Sequence, residues 1–256
     1  MAALANVPLW AQAGLWGLIA GSALLLGALA GYFLALPQRL IAAVMAFGSG
    51  VLIAALAFEL MDEANRLGGF TATAAGFLAG AVAFTAANWL LALSGARHRK
   101  RSGERHPAAA EGAGAAIAIG ALIDGIPESI VMGVSLIEGE QISLVIVAAV
   151  FLSNIPEGLS SSAGMRHAGR SGRYVFALWG GIALICGVAS WLGFTAFSGF
   201  PPPVIAAVMA VAAGAVLAML VDTMIPEAFA EAHDFAGLIT VLGFLVSFAL
   251  SRIDFG

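Results

Sequence analysis

Residues 9–35 read LWAQAGLWGLIAGSALLLGALAGYFLA, a run of 27 positions without a charged side chain. A helix that crosses the hydrocarbon core of a bilayer needs about 20 mostly apolar residues, so this run is long enough to span a membrane. Other stretches of the chain have the same character. The sequence therefore predicts an all-α polytopic membrane protein with eight transmembrane helices, at about residues 9–35, 39–63, 70–93, 113–136, 141–165, 173–198, 203–231 and 235–253.

The composition of the whole chain favours the same class of protein. Of its 256 residues 61% are apolar and 10% are charged, whereas a soluble domain has about 25% charged residues. This excludes a soluble enzyme and a disordered chain, and the net charge of −4 leaves no basic surface for nucleic acid. The one cysteine excludes a disulfide framework or a thiolate cluster. We expect one transmembrane domain over residues 1–256, with a basic cytoplasmic loop at 94–112.

The basic residues indicate the orientation, because Lys and Arg concentrate in loops on the cytoplasmic side. With the N-terminus outside, nine of the eleven basic residues fall in cytoplasmic loops: Arg39, Arg97, Arg99, Lys100, Arg101, Arg105, Arg166, Arg170 and Arg173. Arg66 and Arg252 fall on the other side. The sequence therefore predicts an integral membrane protein with both termini outside.

The acidic residues are placed differently from the basic ones. Nine of the fifteen lie within predicted spans: Glu59, Asp62, Glu63, Asp124, Glu128, Glu157, Asp222, Glu227 and Glu231. No Lys or Arg lies deep in a predicted span, and an ionised carboxylate at the bilayer centre costs about 2.5–3.5 kcal/mol on insertion scales. Asp62, Glu63 and Glu231 are near span ends, where interfacial water reaches them. The deeper acids indicate a bound cation or a proton relay.

Three predicted spans share the tripeptide Ile-Pro-Glu. The copies are DGIPES at 124–129, SNIPEGL at 153–159 and DTMIPEAF at 222–229. Proline lacks an N–H and clashes with the carbonyl four residues earlier, so we expect Pro127, Pro156 and Pro226 to kink their helices and free carbonyl oxygens. Backbone of this kind is tolerated at membrane depth where it lines a cavity.

The first two motifs also bring polar side chains to one side of each helix. Residues four apart share a helix face, so Asp124 lies beside Glu128, and Ser153 lies beside Glu157. Asn154 is three residues before Glu157 and within reach of it. Two such helices side by side would direct these oxygen atoms to one point, and hard divalent cations favour oxygen ligands. The sequence predicts a metal site formed by Asp124, Glu128, Ser153, Asn154 and Glu157.

At these motifs the sequence resembles the ZIP family of zinc and iron permeases, and within it the bacterial GufA-like branch. The resemblance covers essentially the whole chain and extends to AFELMDEA at 57–64. It implies eight helices with both termini outside, a transport site on the fourth and fifth helices, a bacterial inner membrane and a homodimer. Glu128 and Glu157 match the family's two motif glutamates, which bridge metal sites, and Pro127 and Pro156 match its motif prolines.

The chain departs from the family pattern at several ligand positions. Asp124 stands where the fourth span usually has a metal-binding histidine, and Gly125 replaces the asparagine that follows it. Ser153 stands where His or Gln is frequent, while Asn154 keeps a family ligand type. The sixth span lacks the acidic ligand of some members, and we expect its Cys186 to be a packing residue. An oxygen-only site predicts a weaker preference for zinc over manganese than in histidine-containing relatives.

The four histidines are not at the predicted core site. His98, His106 and His167 lie in cytoplasmic loops, and His233 lies at the end of the seventh span. We expect all four to be solvated, although His98 and His106 could form a weak metal-catching loop of the kind that family members have in a more His-rich form.

The predicted function is transport of divalent metal cations into the cytoplasm, with the metal (zinc, iron, manganese or cadmium) as substrate and no organic cofactor. Glu59 and Glu63 would guide the metal from outside, and the metal would leave past Asp222 and Glu227 or past the basic loop at 94–112. Spans one to three and six to eight would form an inverted repeat around the fourth and fifth, a 3+2+3 arrangement. The sequence does not distinguish alternating access from a channel.

Two other functions stay open at this point. A non-transporting sensor or scaffold of the same fold would account for the departures at Gly125 and Ser153. An intramembrane aspartyl enzyme would use Asp124 and Asp222 as an acid–base pair. However, Ile123 and Val221 precede these residues, so the Gly-x-Gly-Asp signature of such enzymes is absent. We expect the chain not to be an enzyme.

Overall fold

The structure, a computed structural model, describes residues 7–93, 113–139 and 143–252, without the side chains of 113–118, 138 and 139. The predicted loop at 94–112, with His98 and His106, lies outside these residues. The described chain is helical throughout, without a strand. Its α-helices are α1 (Leu9–Phe33), α2 (Gln38–Ala55), α3 (Asp62–Leu93), α4 (Ala113–Gly139), α5 (Leu144–His167), α6 (Gly172–Phe197), α7 (Pro202–Met219), α8 (Ile225–Ala232) and α9 (Ala236–Leu250).

Six helical runs in the described part of the chain are long and apolar enough to cross a membrane. The sequence predicted eight spans, and the counts differ because the runs Gln38–Leu93 and Pro202–Leu250 have 56 and 49 residues and each contains two predicted spans. The backbone leaves helical geometry within both runs, with φ 72° at Gly69 and φ 41° at His233. The all-α, polytopic membrane class is confirmed.

Two π-helical turns interrupt these long runs. One covers Leu56–Met61 between α2 and α3, and the other covers Leu220–Met224 between α7 and α8. The first contains Glu59 and the second contains Asp222. Single π-turns inside α-helices occur frequently at functional sites. Both turns therefore mark stretches where an acidic side chain coincides with irregular backbone.

The prolines of the three motifs have different consequences for their helices. Pro226 lies in the first turn of α8, directly after a π-turn, and the backbone stays helical from α7 through that turn into α8. By contrast, α4 and α5 continue through Pro127 and Pro156 as single helices. A kink at Pro127, Pro156 or Pro226 therefore stays a prediction.

The helices pack closely at glycines. Helix α1 packs against α5 and α6, α4 against α6, α2 against α9, and α3 against α7, while α5 and α4 also contact α2 and α7 respectively. A Cβ added at Gly80 would lie 1.8 Å from the carbonyl oxygen of Val211, and one at Gly50 would lie 1.8 Å from that of Thr240. Small residues of this kind let helices approach each other in lipid, where the hydrophobic effect does not drive them together.

Apolar side chains cover the outside of the bundle, and several acidic ones are inside it. Phe70 and Trp89 are examples of large apolar side chains with exposed surface. Asp124, Glu128 and Glu157 are buried in the interior. A bilayer requires an apolar outer surface, and intramembrane acids almost always face the bundle interior. The fold therefore positions the predicted site away from lipid.

Candidate metal site between the central helices

The five side chains predicted to form the metal site are all buried in α4 and α5. Asp124 is 2% exposed, Glu128 is 3% exposed and Glu157 is 4% exposed. Ser153 and Asn154 are buried beside them in sequence. Burial of so many polar groups is costly without hydrogen-bond or ionic partners. The structure thus brings the predicted ligands into the protein interior.

Asn154 is held by a contact to α1. Its Nδ2 donates a hydrogen bond to the backbone carbonyl oxygen of Ala20, at 2.9 Å. This bond fixes the orientation of the amide, so the amide oxygen is the atom that Asn154 can offer to a cation. Ser153 uses its proton within α5, since its Oγ donates to the carbonyl oxygen of Val150 at 2.9 Å. The lone pairs of the Ser153 Oγ can still accept a hydrogen bond or bind a cation.

Glu128 borders a small cavity with otherwise apolar walls. The cavity has a volume of about 20 Å³, which is enough for one water molecule. Its apolar lining comes from α2, the first π-turn, α4, α5 and α7: Leu52, Ala55, Leu56, Leu60, Val131, Ile146, Val150 and Val216. Charge in such surroundings strongly favours a nearby cation or a proton. Glu128 is the one polar residue in this lining, so the cavity itself offers a cation no second polar side chain.

Cys186 of α6 is buried in an apolar cluster that also contains Leu24 of α1 and Trp179 of α6, which agrees with the expectation that it is a packing residue. A Cβ added at Gly125 would lie 3.3 Å from the Cys186 sulfur.

These side chains share the protein interior, but the structure does not gather them around one point. In the parts of the chain that the structure describes, no three His, Cys, Asp or Glu side chains are close enough together to hold a metal ion. A cation at this place would need additional oxygen ligands from Asn154, serine, backbone carbonyls or water, which hard cations accept. What the structure provides is an interior that contains carboxyl, amide and hydroxyl groups.

On the predicted outer side, the two guiding glutamates have protein partners. Glu59 accepts a hydrogen bond from the hydroxyl of Ser143, the N-cap residue of α5, at 2.9 Å. Glu63 forms an ion pair with Arg66 three residues later, with Arg66 Nε 2.8 Å from Glu63 Oε2. Because no Lys or Arg lies deep in a predicted span, the acids within the spans were expected to lack a basic side chain as partner. That expectation is wrong for Glu63, which pairs with Arg66.

On the predicted inner side, the two exit acids are in different places. Glu227 is buried in α8, and its Oε1 accepts a hydrogen bond from Ser160 of α5 at 3.4 Å. Asp222 is exposed, and its Oδ2 accepts from Asn88 of α3 at 3.4 Å. Glu227 thus lies next to the helix that carries Glu157. Asp222 lies at the boundary of α3 and α7, and the structure does not bring it to the central site.

The two histidines within the described residues are away from the site. His167 and His233 are both exposed, at the ends of α5 and α8. Comparison of the chain with known protein-family models gives no match, and no curated protein matches it significantly. Fold and site together define the class of the protein, a polytopic all-helical membrane protein whose interior carries acidic groups.

Proposed function

We propose that the chain transports divalent metal cations across the membrane toward the cytoplasm, as a transporter of the ZIP type. The observation that carries the proposal is the burial of Glu128 and Glu157, both in Pro-Glu motifs, on two central helices. With Asp124 and Glu227 they make four buried carboxyl groups, and no Lys or Arg is buried among the residues that the structure describes. An interior of this composition suits a cationic substrate.

The pattern of helix contacts favours the inverted repeat and the eight crossings. An inverted repeat would relate α1 to α6, α2 to α7, α3 to α9 and α4 to α5, so that each contact has a counterpart when these helices are exchanged. The contact of α1 with α5 then becomes that of α6 with α4, and the contact of α3 with α7 becomes that of α9 with α2. Both exchanged contacts occur in the fold. Many transporters are built from such repeats, with the substrate site at the repeat interface.

Local features of the helices follow the same exchange. The two π-turns directly follow α2 and α7, which the exchange relates. Glycines make the close contacts in both exchanged pairs, with Gly50 and Gly243 between α2 and α9, and Gly80 and Gly214 between α3 and α7. Under this proposal, the runs 38–93 and 202–250 each cross the bilayer twice, with the reversals at Gly69 and His233.

The proposed route passes three acidic groups that lie on α5 or beside it. Metal passes Glu59, which is bonded to the first residue before α5. It loses water at the central group around Glu128 and Glu157. It leaves past Glu227, which is bonded to Ser160 one turn beyond Glu157. This route omits Asp222, because that residue contacts α3 at the edge of the bundle.

The test is uptake of metal by liposomes that contain the purified protein and a trapped metal-sensitive dye. Zinc, manganese, ferrous iron and cadmium are each presented outside. We expect saturable uptake by the natural chain and its loss in Glu157→Gln, which keeps the side-chain volume. Glu231→Gln is the matched control, because Glu231 is exposed and lies outside the route. Uptake by Glu157→Gln equal to that of the natural chain would contradict the proposal.

The same experiment addresses the two other functions. A scaffold or sensor of this fold predicts no uptake of any metal by the natural chain. An aspartyl enzyme needs Asp124 and Asp222 together, whereas Asp124 is buried in α4 and Asp222 is exposed beside α3. The different surroundings of the two aspartates favour transport over an acid–base pair.

A further inference from the structure

We propose that the protein binds the headgroup of an anionic phospholipid at the corner of the bundle where α1 and α5 end and α6 begins. We call residues 32–39 and 166–176 the basic corner. The proposal goes beyond metal transport and does not depend on it, because it concerns the surface that one leaflet of the membrane contacts. The predicted orientation puts this surface on the cytoplasmic side, where anionic lipids are concentrated.

The first argument is that the basic corner carries charge of one sign. It contains four arginines and no acidic residue: Arg39, Arg166, Arg170 and Arg173. The sequence has no Asp or Glu in residues 1–58 or 158–221, which include all of α1, α2, α6 and α7. The side chains of Arg39, Arg166 and Arg173 are exposed. This charge complements the phosphate of a phospholipid that carries a net negative charge.

The second argument is that contacts to α1 hold part of the basic corner in place. The Arg166 Nη1 donates a hydrogen bond to the carbonyl oxygen of Leu34, at 3.4 Å, and the Tyr32 hydroxyl donates to the carbonyl oxygen of Arg170, at 3.3 Å. The Arg170 guanidinium lies over the Tyr174 ring, with its Cζ 5.3 Å from the ring centroid. A guanidinium has five N–H groups and matches phosphate oxygens in pairs, so one bond to Leu34 leaves Arg166 able to bind a phosphate.

The loop between α5 and α6 is also fixed at both of its ends. Gly169 has φ 77°, the left-handed conformation that ends many helices. The N–H of Gly169 donates to the carbonyl oxygen of Arg166, and the N–H of Arg170 donates to that of Met165, both at 3.0 Å. Ser171 then caps the N-terminus of α6. Little conformational entropy is therefore lost when the loop binds a ligand.

The third argument distinguishes a lipid from a soluble anion. Tyr32, Phe33 and Phe176 form an aromatic cluster in the basic corner, with ring centroids 5.3–5.7 Å apart. Phe33 is 64% exposed. Aromatic side chains are frequent at the level of the lipid headgroups, where an apolar ring borders a polar layer. Arginines for a phosphate and apolar rings for the adjoining acyl chains are thus present together, whereas a soluble anion would use the arginines alone.

Binding is tested first on the natural full-length chain in detergent. It is titrated with phosphatidylglycerol or with phosphatidylcholine of the same acyl chains, and native mass spectrometry counts the bound lipid molecules. We expect at least about tenfold tighter binding of phosphatidylglycerol, because each basic residue near a membrane surface contributes a factor of about five for anionic lipid. Equal affinity for the two lipids would overturn the proposal, and this comparison needs no variant.

The position of the site is tested with the double variant Arg166→Gln and Arg173→Gln. We expect its affinity for phosphatidylglycerol to fall about 25-fold, the product of two such factors, with no change for phosphatidylcholine. The matched control is Arg252→Gln, which removes an exposed arginine that lies over the Phe248 ring, 4.8 Å from its centroid, beyond the end of α9. Undiminished binding in the double variant, or an equal loss in the control, would overturn the assignment to the basic corner.

A final competition separates a lipid from a free anion. Excess inorganic phosphate is added to the natural chain that has been loaded with phosphatidylglycerol. We expect the lipid to stay bound, because phosphate does not replace the contacts of the acyl chains. Displacement of the lipid would show that the basic corner is a site for a soluble anion and would contradict the proposal. None of these measurements requires metal uptake, so failure of the proposed transport function is distinguishable from failure of this inference.

Discussion

Ser160 and Glu227 connect α5 to α8 in the protein interior, with the serine Oγ donating to the Glu227 Oε1 at 3.4 Å. Both side chains are buried. The bond links the helix that carries Glu157 to the short helix that follows the second π-turn. It places a second acidic group one turn from the central site, on the side that the orientation assigns to the cytoplasm.

Loss of the hydrogen bond between Ser160 and Glu227 should destabilise the fold only slightly, whereas loss of the Glu227 carboxylate should lower the uptake rate. We expect Ser160→Ala to lower the free energy of unfolding by about 1 kcal/mol, the typical net value of one hydrogen bond. We expect Glu227→Gln to keep the fold and to reduce the maximal uptake rate, because release then lacks an acidic acceptor. Thermal unfolding in detergent and uptake by liposomes measure the two effects. A normal uptake rate in Glu227→Gln would remove this residue from the route.

Asp222 should be dispensable for uptake, in contrast to Glu227. Its carboxylate bonds to Asn88 of α3 and is exposed, so Asp222→Asn leaves the central group unchanged. We expect the uptake rate and the metal preference of this variant to match those of the natural chain. Loss of uptake in Asp222→Asn, at a normal melting temperature, would show that the exit passes between α3 and α7 instead.

The hydrogen bond from Ser143 to Glu59 should affect metal uptake from the predicted outer side of the membrane. Ser143 caps α5 by accepting from the backbone N–H of Ile146, and it also donates to Glu59. Ser171 caps α6 in the same way, through Tyr174 N–H, so Ser171→Ala is a matched control. Loss of either cap costs about 1 kcal/mol. We expect Ser143→Ala to raise the metal concentration for half-maximal uptake as well, an effect that should be absent from Ser171→Ala.

Glycine positions should report the helix contacts that support the inverted repeat. A Cβ at Gly50 or Gly80 would lie 1.8 Å from a carbonyl oxygen of the neighbouring helix, so we expect Gly→Ala at each to destabilise the protein by about 1–3 kcal/mol through overpacking. At Gly180 a Cβ would meet no atom within 4 Å. Gly180→Ala is therefore the control and should be neutral. Equal melting temperatures for all three variants would contradict the close helix contacts.

Much of the fold and part of the site follow from sequence-level physics. The length of apolar runs predicts membrane-spanning helices because the bilayer thickness sets that length. Burial of Asp124, Glu128 and Glu157 follows from the cost of an acid in lipid. The four-residue spacing of Asp124 and Glu128, and of Ser153 and Glu157, was enough to predict which side chains of α4 and α5 lie in the interior.

Other features depend on information that these patterns do not contain. Neither π-turn has a distinctive sequence signature, and the extra residue in such a turn shifts the helical phase. Asp222 and Glu227 contact different helices for a simpler reason, since residues five apart lie about 140° apart around a regular helix. The position of Cys186 depends on how α6 packs against α4, which hydropathy does not report. The ion pair of Glu63 with Arg66 could have been predicted from the sequence, because residues three apart share a helix face.

The central claim is that Glu128 and Glu157 carry a divalent cation through the membrane. Its most direct test is the initial rate of Zn²⁺ uptake by liposomes that contain equal amounts of the natural chain, Glu128→Asp or Glu128→Gln. The account predicts saturable uptake by the natural chain, a reduced rate in Glu128→Asp, which keeps the carboxylate, and background uptake in Glu128→Gln. Uptake by Glu128→Gln at the rate of the natural chain would contradict it.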